Sequence, residues 1–222
     1  NQQTWTSTEL SVFDFLMTGS IGNIDIASGL QFRDESFDVA RGASSIAQFD
    51  AAGNITQPAD LLFLGGGLES TASRNATALF IEGSMNPSDR LEVKGALRYE
   101  DLESDSSVDP KIAFRYQASD ELALRASFST SFREASLAQL TSTNISLQGI
   151  QDYNADGSAK GGTAFIRIAQ ANNPNLAPEE SENMNIGAMW NPTDKLSMKL
   201  DYWAIDYTNV ITIESAQGKV AA

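Results

Sequence analysis

The chain has 222 residues, with 29 acids against 15 bases, a formal net charge of −14, and neither Cys nor His. Without thiols there are no disulfides, thiolate catalysis or Cys-based zinc sites, and without imidazole there is no Ser-His-Asp chemistry. The acidic balance argues against nucleic acid as a partner, which requires clustered Lys and Arg, while 41% hydrophobic and 20% charged residues are a folding composition.

No apolar run approaches 18 residues, so no transmembrane helix is predicted. The start "NQQTW" has no initiator Met or leader pattern and reads as part of a longer product.

In chain order, a run over residues 10–17 of ambiguous register precedes the turn "TGSIGN". Ile24, Ile26, Leu30 and Phe32 then alternate with Asp25, Ala27, Gln31 and Arg33, a period of two that predicts a strand. Residues 38–75 form a first long connection rich in Gly, Ser, Asn and Ala, with "FDAAGNI" as a small hairpin tip. A weaker alternation puts Thr77, Leu79, Ile81 and Met85 opposite Ala78, Phe80, Glu82 and Ser84. After the turn "NPSD", Leu91, Val93, Leu97 and Tyr99 oppose Glu92, Lys94, Arg98 and Glu100.

The acidic stretch "EDLESDSSVD" carries Glu100, Asp101, Glu103, Asp105 and Asp109 without a base and is predicted as a solvated loop. Its functional alternative is a divalent-cation contact with an anionic leaflet. Ile112, Phe114 and Tyr116 follow, then the turn "ASDE", then Leu122, Leu124, Ala126, Phe128 and Phe132 opposite Arg125, Ser127, Ser129, Ser131 and Arg133. A second long connection, residues 134–181, opens with "REASLAQL" as a short helical turn and contains "YNADGSAKG" as another hairpin tip. Met184, Ile186, Ala188 and Trp190 make the next strand, and after "NPTD" Leu196, Met198, Leu200 and Tyr202 make the last.

The result is an all-β, antiparallel up-and-down meander of about eight strands, with tight turns and long connections on opposite ends. Two environments suit such strands. One is a soluble β-sandwich that binds glycan or protein through its loops. The other is a membrane barrel with the apolar face toward lipid. Runs of about ten residues and the unequal ends favour the barrel. Tyr99, Phe132, Trp190, Tyr202, Trp203 and Tyr207 lie near strand ends, as interfacial girdles or as an aromatic core.

In a barrel, Lys94, Arg98, Lys111, Arg115, Arg125 and Lys199 must point to a wet lumen with Glu92, Glu100 and Asp201 as partners. Each outward base would cost about 2–4 kcal/mol at the midplane, and several would exceed a typical net stability of about 5–15 kcal/mol.

The stretch from Asn173 to Ile211 closely resembles the C-terminal barrel portion of TonB-dependent outer-membrane receptors. It carries Asn173, Pro174, Leu176, Pro178, Glu179, Ser181 and Asn183 of an N-P-x-L-x-P-E-x-S-x-N signature, and Leu200, Asp201, Tyr202, Trp203, Ile205 and Asp206 of a later strand. "LRASFSTSFREASLAQL" is similar to a second family stretch, with Glu134 where a small residue is common and Ala135 in place of Pro. "GLQFRDESF" looks like a third piece.

The resemblance implies a segment of a 22-stranded barrel in the cell outer membrane, without the plug domain, the TonB box or the closing C-terminal strand. It also implies TonB-energised uptake of a scarce solute such as siderophore-iron, cobalamin or a glycan. Partners would then be outer-membrane lipid, the receptor's own plug, TonB and the solute, and the tight turns would be periplasmic.

Asp152, Asn154 and Asp156 have the spacing of the first ligands of a calcium loop, followed by Gly157. Thr163 at the twelfth position and Lys160 at the ninth oppose that reading, and a flexible turn is the simpler one. Arg133 is a candidate contact for an anionic solute or a lumenal ion pair. Surplus acids with no motif to select a pair predict no enzyme and no cofactor beyond that calcium candidate.

Overall fold

A computed structural model of the chain describes residues 3–57, 66–102 and 105–221. Thirteen strands occur among them: β1 (Thr4–Ile21), β2 (Ile24–Arg41), β3 (Gln48–Phe49), β4 (Ile55–Gln57), β5 (Gly66–Gly67), β6 (Ser70–Ser88), β7 (Leu91–Asp101), β8 (Ser106–Gln117), β9 (Leu122–Arg133), β10 (Asn144–Ile150), β11 (Ala164–Gln170), β12 (Glu179–Thr193) and β13 (Leu196–Thr208). Two short α-helices, α1 (Leu137–Thr141) and α2 (Ala216–Ala221), and a 3-10 turn at Ala43–Ser45 also lie among the described residues.

Eight strands form one antiparallel sheet in the order β1-β2-β6-β7-β8-β9-β12-β13. This is the predicted meander, as an open segment of barrel wall. The long alternating runs build it, because a period of two places every second side chain on one face. The sandwich alternative fails: among the described residues no second sheet covers the apolar face, whose residues are exposed.

Turn chemistry explains the tight end. Gly22, with φ of +64°, and Asn23 close β1 to β2 in a two-residue turn. In the repeated Asn-Pro-Ser/Thr-Asp stretches the prolines do not form the turn itself. Asn86 and Pro87 sit at a register shift between Met85 and Ser88, and Asn191 and Pro192 at one between Trp190 and Thr193. Proline lacks an N–H for the ladder, so a bulge accommodates it. The turns proper are Asp89-Arg90 and Asp194-Lys195.

The acidic stretch is not a long loop. β7 continues through Asp101 and β8 starts at Ser106, leaving a short connection closed by Leu102 N–H donating to Asp105 O. Glu103 lies outside the described residues.

The long connections are structured. Residues 42–57 and 66–69 hold the small β3–β4 hairpin at "FDAAGNI" and strand β5, and residues 58–65 of the first connection lie outside the described residues. Residues 134–178 hold α1, the β10–β11 hairpin and a turn bridged between Tyr153 and Ala159. α1 begins with a capping box between Ser136 and Gln139, which satisfies its first free N–H groups. Leu137 of α1 packs on Phe37 and Val39 of β2, with Ala72, Ala138 and Leu140 around it. This core lies at the long-connection end, on the face of Arg33 and Glu35, opposite that of Phe32.

Candidate membrane-facing surface and lumenal wall

Residues paired across an antiparallel ladder share a face, so the register sorts the side chains. One face carries Phe13, Phe15 and Met17 of β1, Leu30 and Phe32 of β2, Leu79 and Ile81 of β6, and their partners across to Met184 and Ile186 of β12. These residues do not pack into a core: Phe13, Leu79, Val108 and Leu200 are 61, 51, 58 and 76% exposed. The ambiguous register of the first strand is settled by its pairing, since Phe13 sits opposite Phe32 with rings 6.4 Å apart.

This apolar surface is a band with an oblique upper edge. On β2 it ends at Phe32, and the next residue on that face is Asp34; on β12 it ends at Met184, and the next is Glu182. The ladder from Asn183 runs through Ser129, Lys111, Ala96 and Glu82 to Ala27, six positions before Arg33, the edge on β2. That offset, about 20 Å over five inter-strand steps of about 4.8 Å, inclines the band about 40° to the hydrogen-bonded rows. Strands that cross a bilayer in a barrel tilt by about 35–45°. Folding of a soluble sheet has no reason to produce such an inclined greasy belt.

The opposite face is the lumenal wall, and it holds the bases. Lys94 Nζ lies 2.8 Å from Glu92 Oε1, Arg98 Nη2 lies 2.6 Å from Glu100 Oε2, and Arg125 Nη2 lies 2.6 Å from Asp201 Oδ1. The three acids expected as partners are therefore the ones used. Arg125 and Asp201 stand on strands separated by β12, and Gly187 lies between them. A methyl group at Gly187 would collide with Asp201 Oδ1 and approach Arg125 Nε at 2.8 Å, so the ion pair spans the strand only because that position has no side chain.

Three expectations need correction. Glu100 is not in a solvated loop: it is 2% exposed and also pairs with Arg33. Asp109 likewise accepts hydrogen bonds from Ser107 and Thr130 on the inner wall. Trp203 and Tyr207 do not join an outward girdle, because they share the parity of Asp201 and face inward, opposite Asn185 and Ser181.

Arg133 makes an ion pair, its Nε donating to Glu179 Oε2 at 2.6 Å. Glu179 Oε1 also accepts from Ile211 N–H at 2.7 Å, which ties the tops of β9 and β12 to the chain beyond β13. Glu179 stands five positions beyond the apolar band, and the Arg133 guanidinium and the Ile211 amide lower its carboxyl to about 2.

The three calcium candidates are engaged within their own turn. Asp152 pairs with Lys160 at 3.2 Å, Asn154 donates to Ser158 Oγ, and Asp156 accepts from the Ser158 amide and hydroxyl, which lower its carboxyl. Among the described residues no group of three or more carboxylates is placed to hold a metal ion.

Sequence reasoning missed two guanidinium hubs. Arg74 donates to Glu35 Oε2 at 2.8 Å and to Ala135 O at 2.6 Å, and lies 3.1 Å from Glu134 Oε2. Arg41 donates to Leu68 O at 3.1 Å, to Thr4 Oγ1 at 3.3 Å and to Asn144 Oδ1 at 2.8 Å. Alternation marked neither, because the partners are remote in sequence.

A family model described as TonB dependent receptor-like, beta-barrel, matches residues 1–221. No curated protein matches the chain in sequence. Among solved structures it is similar to a ferric enterobactin receptor, PfeA, of Pseudomonas aeruginosa, with TM-score 0.63, 17% identity, and 92% of this chain and 27% of that one covered. It is also similar to the siderophore receptor PirA of Acinetobacter baumannii, with TM-score 0.64, 16% identity and coverages of 92% and 27%. The copper transporter OprC gives TM-score 0.59, 13% identity and coverages of 91% and 30%. At these identities the likeness is one of fold, and the chain spans under a third of the length of each.

Proposed function

This chain belongs to the TonB-dependent receptor-like β-barrel family, and we propose that it is one stretch of barrel wall in a receptor that imports a scarce solute with energy supplied through TonB. The family is one of transport receptors of the Gram-negative outer membrane. The carrying observation is the oblique apolar band on one face with the ion-paired bases on the other. Hydrocarbon outside and water inside account for both at once.

The whole receptor would add the remaining strands, a plug inside the lumen, and the segment on which TonB pulls. Siderophore-bound iron leads among the solutes, since enterobactin and siderophore receptors are among the similar folds. Cobalamin or a glycan remain alternatives. Catalysis has no part in this reading.

Uptake by cells lacking the full-length gene tests it. Loss of growth on one solute class under scarcity, restored by the gene only when TonB is present, is the expected outcome. Growth unchanged on ferric siderophores, cobalamin and oligosaccharides alike would overturn the proposal.

A further inference from the structure

The second long connection does not rise away from the wall. It leaves β9 at Arg133, yet α1, four residues on, already packs on β2 and β6. β6 lies three inter-strand steps from β9, about 14 Å at the usual spacing. The connection therefore runs as a strap along the inner side, past the short β7–β8 turn.

Two guanidinium groups fasten this strap. Arg74, on the inner face of β6, holds Glu35 of its neighbour strand with one side of its fork and Glu134 and Ala135 O of the strap with the other. Arg41, at the end of β2, reaches Thr4 of β1, Leu68 O of the first connection and Asn144 of the second. Its own N–H donates to Glu69 of the first connection.

The connections also share backbone. β5, from the first, pairs with β10, from the second, through Gly66 and Gly67. A side chain at Gly67 would collide with Thr143 O and approach Arg41 Nη2 at 2.6 Å, so this junction closes only around glycine. The returning leg is tied to the outgoing one: Asn172 Nδ2 donates to Leu140 O at 2.8 Å and Asn173 N–H to Gln139 O at 3.3 Å.

We infer that the two long connections, over residues 42–57 and 66–69 of the first and 134–178 of the second, form a single cap, bolted by Arg41 to the β1–β2 end and by Arg74 to the β2–β6 wall, which moves as one leaf rather than as two independent loops. The cap lies at the outer mouth only if the receptor reading holds; its unity does not depend on that reading. Displacing either connection requires breaking contacts made by the other. A solute that touches one therefore shifts both.

The test uses the full-length receptor in detergent, with spin labels on cysteines at Ala43 in the first connection and Ser146 in the second. This chain contributes no native cysteine to interfere. One narrow distance distribution is expected, lost in the Arg41→Ala, Arg74→Ala double variant. Gly67→Val, which strikes the same junction sterically, should cause the same loss. A broad distribution in the unaltered receptor, or a narrow one retained in both variants while the barrel stays folded by heat-shifted gel mobility, overturns the single-leaf cap. Neither readout involves transport, so failure here is distinguishable from failure of the uptake assay.

Discussion

Arg74 stands on β6 and Glu134 is the first residue after β9, three places away in the sheet, yet Arg74 Nη1 lies 3.1 Å from Glu134 Oε2. Arg74 serves two carboxylates, so its loss and the loss of one carboxylate are not equivalent. Arg74→Met leaves Glu35 and Glu134 partly buried without the base that they share. We expect it to cost about 2–3 kcal/mol, less than for a fully buried pair because some solvent remains. Burial pushes the Glu134 carboxyl up despite the guanidinium, so its ionised form is penalised in the folded state. Glu134→Gln should therefore stay within about 1 kcal/mol of the parent, since Arg74 keeps Glu35. Thermal unfolding of the full-length receptor in detergent checks both, and equal losses would contradict the shared-base geometry.

Glu179 should give the barrel top an acid-sensitive staple. Its folded carboxyl lies at about 2, below the ordinary 4.5. A depressed carboxyl stabilises fully above its unfolded value, and that stability is lost as pH falls from about 4.5 toward 2. Glu179→Gln should remove this part of the acid sensitivity and free the chain after β13. Amide hydrogen exchange at Ile211 between pH 5 and pH 3 is the measurement; unchanged protection in the variant would reject the staple.

The wall was legible in the sequence because its signal is local. Leu91, Val93, Leu97 and Tyr99 announce their common face through spacing alone, and the register confirms it. Trp203 and Tyr207 stand near a strand end, yet parity with Asp201, not nearness to the end, sets the face they take. Glu100 looked solvated because Arg33 is 67 positions away in the chain. The cap was invisible for the same reason. Arg41 and Asn144 are 103 residues apart, and nothing in either neighbourhood marks the other. Short-range periodicity encodes a ladder; long-range polar contacts depend on curvature that no window contains.

Adjacent positions on β9 should respond oppositely to charge. Phe128 lies between Ile112 and Met184 on the outward band, and Ser127 between Ala113 and Asn185 on the inner wall. Phe128→Lys should cost about 1–2 kcal/mol, less than at the bilayer midplane, because Phe128 pairs with Met184 near the upper edge of the band. Ser127→Lys should cost about 1 kcal/mol or less, since its ammonium remains in the wet lumen. The amount of heat-modifiable receptor in the outer membrane reads the difference, and the reverse order would turn the wall inside out.

Gly187 offers a sharper probe of the inner wall. Only the absence of a side chain lets Arg125 reach Asp201 across β12. Gly187→Val should separate the pair, leaving Arg125 without its carboxylate. Asp201→Asn should then add little in the Gly187→Val background, although it matters alone, because the interaction is already gone. A double-mutant cycle on unfolding free energy measures this, and additive effects would show that the pair survives the valine.

Sidedness follows from the same geometry. Four tight connections, at Gly22-Asn23, Asp89-Arg90, Ser119 to Glu121 and Asp194-Lys195, leave the sheet at one end, while the cap and the short β7–β8 connection leave at the other. If the short end is periplasmic, a cysteine at Ser88 or Thr193 in the full-length receptor should resist a membrane-impermeant maleimide in intact cells. One at Gly157, on the exposed tip of the second connection, should react readily. Breaking the outer membrane should make the first two reactive without changing the third. Ready labelling of Ser88→Cys from outside, with Gly157→Cys protected, would invert the orientation and place the cap in the periplasm, where it would have no incoming solute to meet.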